Sequence, residues 1–180
     1  FGNHRDLHAT LLSLPTRRSS NLSDTGAAGS VQAKLAGDGS DANTTAVTFD
    51  SEVNAIDVNG QAATLSVAHG ALNITLSGGS ASVKMAADGS DADISGVSLD
   101  TDVSAIDINS QSATMTVAQA TNGAYTISDT GAAGSAKVKL KSDGSDANIS
   151  AVTFDSEVNA FDINSQSAIM SVAQATNGAY

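Results

Sequence analysis

The chain repeats itself, and this repetition limits its possible folds more than any local pattern does. The turn Asp-Gly-Ser-Asp-Ala begins at residues 38, 88 and 143, at separations of 50 and 55 residues. An acidic corner follows in register as Phe49-Asp50-Ser51-Glu52-Val53, Leu99-Asp100-Thr101-Asp102-Val103 and Phe154-Asp155-Ser156-Glu157-Val158. Next come Ile56-Asp57-Val58-Asn59, Ile106-Asp107-Ile108-Asn109 and Phe161-Asp162-Ile163-Asn164. Over the 31 positions from the turn onward, the first and third copies share 23. Ser23 to Ser30 recurs verbatim as Ser128 to Ser135, and Val117 to Tyr125 as Val172 to Tyr180. The copies divide the chain into 23–77, 78–127 and a truncated 128–180, and the whole reads as a piece of a longer array.

Within a copy, apolar residues alternate with polar ones instead of recurring at three and four. Val138 and Leu140 alternate with Lys137, Lys139 and Lys141; Val152 and Phe154 with Thr153 and Asp155; Met170 and Val172 with Ser171. That is the period of half-buried strands. Asp-Gly, Asn-Gly and Gly-Gly turns punctuate them, giving about five short strands per copy and no helix. The predicted class is all-β. Of 73 hydrophobic residues, 31 are Ala, and Val, Ile, Leu and Phe number 37. A lone unit of about 50 residues with so little to bury is poorly stable, whereas units stacked on one another share a core. A β-solenoid-like stack of about three 50–55-residue repeats is therefore expected, with tandem small β-sandwich modules as the alternative. The scarcity of aromatics and the absence of Pro-rich linkers favour the stack.

Composition breaks near Leu22. All three Arg and the only Pro lie before it. Residues 1–22 do not fit a secretory signal, because Leu11, Leu12 and Leu14 precede Arg17 and Arg18. The run Leu14-Pro15-Thr16-Arg17-Arg18-Ser19-Ser20 resembles translated sequencing-adapter read-through, and we read 1–22 as a non-native leader. The net charge of the chain is −11; residues 23–180 carry 5 Lys against 18 acids, hence 5 − 18 = −13. Nucleic acid is repelled by such a surface. With no Cys, disulfides and Cys-ligated metals are excluded. No stretch reaches the ~18 to 20 apolar residues of a membrane helix.

The stretch Val53 to Ala68, with Ile56-Asp57-Val58-Asn59 and Ala63-Thr64-Leu65-Ser66-Val67-Ala68, resembles repeats of very large secreted adhesin-like bacterial proteins. Met115-Thr116-Val117-Ala118-Gln119-Ala120 and Thr126-Ile127-Ser128-Asp129-Thr130 carry the same likeness. The resemblance implies export, an extracellular or cell-surface location, and often calcium. The Gly-Gly-x-Gly-x-Asp nonapeptides of calcium-binding β-rolls are missing.

Calcium takes six to eight oxygen ligands, and the acidic turns supply candidates: Asp38 and Asp41; Asp88, Asp91 and Asp93; Asp143 and Asp146. Asp41-x-Asn43-x-Thr45 with Glu52, Asp91-x-Asp93-x-Ser95-Gly96 with Asp102 and Asp146-x-Asn148-x-Ser150 with Glu157 mimic EF-hand positions 1, 3, 5 and 12. The sharp-turn Gly is Ala46 and Ala151 in two copies, and alternation at Val47 and Phe49 predicts a strand in place of the loop. The competing reading makes these residues turn formers and solubilising surface charge. Asp57, Asp107 and Asp162 are expected to face solvent beside buried Ile or Phe. His69, replaced by Gln119 and Gln174 in the other copies, reads as a surface substitution and not as a general base. No nucleophile elbow, zinc-binding His-Glu pair or phosphate loop occurs. The expected function is a non-enzymatic stalk or spacer whose partners are its neighbouring repeats and, beyond them, a surface glycan or protein. A calcium-dependent folding module is the alternative, and a carbohydrate-active β-helix the least favoured.

Overall fold

A computed structural model describes residues 30–130 and 134–176. The leader reading of residues 1–22 lies outside them. Ten strands occur in order with three single-turn helices: β1 (Val31–Lys34), β2 (Val53–Asp57), β3 (Ala62–Ser66), α1 (Val67–Gly70), β4 (Asn73–Thr75), β5 (Ser80–Lys84), β6 (Val103–Asp107), β7 (Ser112–Met115), α2 (Val117–Ala120), β8 (Thr126–Ser128), β9 (Ser135–Lys139), β10 (Val158–Asp162) and α3 (Val172–Ala175). All pairs between these strands are parallel. Register partners lie from 18 residues apart, as at Ala55 and Asn73, to 23 apart, as at Ser112 and Ser135. The chain is thus a β-solenoid of about six coils, each laid on the last. Independent sandwich modules would need antiparallel pairs closed within each copy.

The strands form three sheets, ordered β1-β2-β4, β3-β5-β6-β8 and β10-β9-β7. These are three faces of the coil, and the copies are distributed over them in a regular way. The first strands of the copies, β1, β5 and β9, fall in the first, second and third sheet, and so do β2, β6 and β10. Likewise β3 and β7 occupy the second and third sheets, and β4 and β8 the first and second. Each copy therefore advances by two whole coils plus one face. The 50–55-residue sequence period and the 18–23-residue coil period are different quantities, and equivalent strands of adjacent copies lie on different sheets.

Inward positions fill the core: Ile56, Leu65, Val83, Met85, Ile106, Met115, Val138 and Leu140 are fully buried. They stack in register, with Ile56 on Ile74, Leu65 on Val83 and Met115 on Val138. Single side chains per coil layer suffice because the interior is narrow, which is why an Ala-rich, aromatic-poor chain can fill it.

Three local expectations are corrected. Val172, expected in a strand, opens a single-turn helix as Val67 and Val117 do, because the preceding Ser or Thr caps each turn. The stretch from Val47 to Asp50 is irregular, with Val47 44% exposed, so the strand expected there is absent. Asp57, Asp107 and Asp162 are half-buried and do not face free solvent: Lys34 reaches Asp57 at 3.2 Å, Lys84 reaches Asp107 at 3.3 Å, and Asp162 accepts from Asn164 N at 2.8 Å.

Candidate functional site

The acidic turns lie at the corners, and their chemistry follows from what a corner must do. A chain reversing direction exposes amide groups that no strand partner can accept. At the first corner, Asp38 Oδ1 accepts from Ser40 N at 2.9 Å and Asp41 Oδ2 from Ala36 N at 3.0 Å. The same pair of bonds recurs as Asp88 with Ser90 and Asp91 with Ala86, then as Asp143 with Ser145 and Asp146 with Lys141. Asp93 Oδ1 accepts from both the amide and the hydroxyl of Ser95, as Asn43 and Asn148 do from Thr45 and Ser150. The Ser40 hydroxyl and amide hold the Asp38 carboxyl below its usual range, and Ser90 and Ser145 do so for Asp88 and Asp143.

Each of the seven acidic metal candidates therefore spends a carboxylate oxygen on its own turn. The one-face advance per copy also separates them. The turn after β1 leaves the first sheet, that after β5 the second and that after β9 the third, so the three turns cannot pool ligands. No group of three or more His, Asp or Glu side chains is close enough to hold a metal ion among the described residues. Two open grooves of about 310 and 360 Å³ flank the corner at 139–146; Ser95, Thr116 and Lys141 line both, with Lys139 and Asp143 in the first and Tyr125 and Asp146 in the second.

What binds coil to coil is a second set of residues. In Ile56-Asp57-Val58-Asn59, Ile56 and Val58 point inward, Asp57 Oδ1 accepts from Asn59 N, and Asn59 takes a left-handed conformation (φ 55°) that Asn tolerates. Its Nδ2 then donates to Leu35 O of the preceding coil at 3.0 Å. Asn109 and Asn164, with φ 52° and 53°, donate to Met85 O and Leu140 O at 2.8 Å. Gln61 and Gln166 add bonds to Ala36 O and Lys141 O. Asp57 is held below its usual range, first by the Asn59 amide and then by Lys34 and Ser77. At Asp107 burial pushes the carboxyl up, but Thr130, the Asn109 amide and Lys84 outweigh it and the net shift is downward.

A third group stands inside the stack. Gln119 is 5% exposed; its Nε2 donates to Ile94 O and Val97 O at 3.1 and 3.0 Å, and its Oε1 accepts from Thr116 N. Gln174 repeats these bonds with Ile149, Val152 and Ser171. His69, expected on the surface, is instead 8% exposed at the same position, because the residue there must fill the interior. Its ring lies 4.5 Å from that of Phe49, its Nδ1 lies 3.4 Å from the hydroxyl of buried Thr44, and burial depresses its pKa. Thr44 stands where the other copies have Ile94 and Ile149, so the two polar exchanges occur together. Sequence reading missed these struts.

No family model, curated protein or solved structure matches the chain. No helix among the described residues is long and apolar enough to cross a membrane.

Proposed function

We propose that the chain is a structural or adhesive repeat segment, a non-enzymatic stalk or spacer of a large exported bacterial surface protein. The observation that carries this reading is the stack of parallel coils to which all three copies contribute strands, with an Asn side chain of each copy bonded to the coil before it. Coils spaced by about 4.8 Å give about 11 Å of length per copy, so the device trades reach for stiffness. Its acidic rim keeps copies soluble and mutually repelling. Export, surface location and any glycan or protein partner belong to this proposal through the resemblance of the repeats.

Small-angle scattering on tandem arrays of residues 30–176 tests the mechanical part. A cross-section that stays constant while length grows by about 29 Å per added unit, six coils at about 4.8 Å each, supports the spacer. A globule whose radius grows in all directions sinks it. The calcium-dependent alternative would have to withdraw Asp38, Asp41 and their counterparts from the amides they cap.

A further inference from the structure

One groove recurs at both junctions between copies. Between the first and second it is lined by Thr45, Ser66 and Lys84 and holds about 210 Å³. Between the second and third, the equivalent Ser95, Thr116 and Lys139 line the two adjoining grooves of about 310 and 360 Å³. The shape therefore belongs to the repeat, and what differs is its charge. At the first junction the cation is spent: Lys84 pairs with Asp107 and donates to the Thr130 hydroxyl at 3.1 Å, and Ala86 stands where the second junction has Lys141. At the second, Lys137, Lys139 and Lys141 make no ion pair among the described residues, although Lys139 is the register partner of Asp162 as Lys84 is of Asp107.

The three lysines stand on alternate residues and leave the backbone about 6.6 Å apart, along one face of β9 and its continuation through Leu140. Asp93 feels the charge of Lys139 and Lys137, and Asp143 that of Lys141, but each carboxylate is engaged in its own turn, Asp93 with Ser95 and Asp143 with Ser145. Asp146, on the rim of the second groove, likewise accepts from Lys141 N. Two hydroxyls complement the cations. The Ser95 hydroxyl donates to Asp93 and is left as an acceptor, whereas the Thr116 hydroxyl accepts from Gln119 N and is left as a donor. Beside them the half-buried ring of Tyr125 supplies an apolar wall. We propose that this groove binds an acidic saccharide built of hexuronate residues. The carboxylate sits between Lys139 and Lys141, sugar hydroxyls bond Ser95 and Thr116, and Tyr125 takes the apolar face of a pyranose. An acidic peptide meets the lysines equally well; the ring and the two hydroxyls favour the saccharide. The chain's acidic charge opposes any anion, so the expected affinity is weak, about millimolar. The inference extends the adhesive part of the proposed function and rests on it for the encounter with saccharide. Scattering decides the stalk and titration the groove, so each can fail alone.

Isothermal titration calorimetry of the full chain in EDTA tests the proposal, with tetragalacturonate, its full methyl ester and tetraglutamate as probes. EDTA removes any metal that would bridge two sets of carboxylates. Tetragalacturonate is expected to bind saturably with a Kd of about 1 mM at low salt, and several-fold more weakly at about 200 mM salt. The ester and the peptide should each bind roughly tenfold more weakly or less. The double variant Lys137→Ser, Lys141→Ala installs the residues of Ser82 and Ala86, and Tyr125→Leu that of Leu72, at equivalent positions where the fold already accepts them. The lysine variant should lose roughly tenfold in affinity and Tyr125→Leu several-fold. Comparison of the three probes needs no variant, so it decides the matter even where a substitution unfolds the chain. Absence of saturable tetragalacturonate binding at about 10 mM overturns the proposal. So does equal affinity for the ester or for tetraglutamate, or an affinity that the folded lysine variant keeps.

Discussion

Replacing Gln119 with Leu isolates the buried strut from the packing around it. The two side chains are similar in size, so the cavity term is small, and the change is chiefly the loss of three bonds: to Ile94 O, to Val97 O and from Thr116 N. Ile94 O keeps the amide of Val97 at 2.9 Å, whereas the half-buried Val97 O and Thr116 N lose the partner that Gln119 supplied. An unpaired buried polar group costs roughly 1–3 kcal/mol, while the added apolar burial returns part of it, so the net loss from two groups is about 2 kcal/mol. Gln119 sits in the middle coils, and coils are stabilised by their neighbours, so the loss should also weaken the coupling between the first and third copies. Urea unfolding followed by far-ultraviolet circular dichroism is the assay. One cooperative transition should become two, with the first shifted to lower urea. Gln32→Leu, on the exposed face of β1, serves as a control and should shift the midpoint little. A Gln119→Leu protein within about 0.5 kcal/mol of wild type would refute the strut, since that is the range of ordinary surface substitutions.

The double variant Thr44→Ile, His69→Gln installs in the first copy the pair that the other copies use, and should raise its melting temperature. It should also abolish a pH dependence: His69 has a depressed pKa, so its contribution is present above the unfolded value of about 6.5 and is lost as pH falls through the folded value; melting curves from pH 7.5 to 5 check both points. The capped carboxylates Asp38, Asp57, Asp88, Asp107 and Asp143 are all held low, so their contribution is present above about pH 4 and is lost as pH falls through their folded values. Acid titration should therefore leave the fold intact at pH 5 and unfold it well below pH 4, and an unchanged transition at pH 2 would contradict the capping role. Gly79→Ala brings a Cβ to 2.3 Å from the Gln61 carbonyl oxygen, and the fixed backbone leaves no room for relief; we expect a loss of about 1–3 kcal/mol in urea unfolding. Melting curves in EDTA and in millimolar calcium should coincide, and a large calcium-dependent rise would return the acidic turns to the role of ligands.

Alternation around Val138 and Leu140 announced strands correctly, because half-buried strands impose period two on any sequence that forms them. Repetition and the poor core announced stacking. The coil itself was hidden, since one copy holds two coils and a face. Self-similarity aligns β1 with β5 through the turns that follow them, yet the strand lying against β1 is β2, which follows the acidic corner of the same copy. The struts were hidden for another reason. Polar residues are mostly exposed, and that prior assigned His69 to the surface. The signal that could have placed them was the three-residue spacing of Thr116 to Gln119 and Ser171 to Gln174, a capping box that both copies form. The acidic turns were legible as turns because Asp-Gly geometry is local. Which side chains sew one coil to the next was not, because Asn59 and Leu35 are brought together only by a full circuit of the solenoid.

The central claim is that each copy advances two coils and one face, so that equivalent residues of adjacent copies lie on different sheets. The chain has no cysteine, which permits a clean crosslinking test. Thr64 and Ser82 are register partners on adjacent strands, about 4.8 Å apart and within the Cα span of a disulfide. Thr64 and Thr114 are equivalent positions of two copies on different sheets. Under mild oxidation the pair Thr64→Cys, Ser82→Cys should crosslink rapidly and within one molecule, while Thr64→Cys, Thr114→Cys should stay reduced. Crosslinking of the second pair with failure of the first would contradict the three-faced stack.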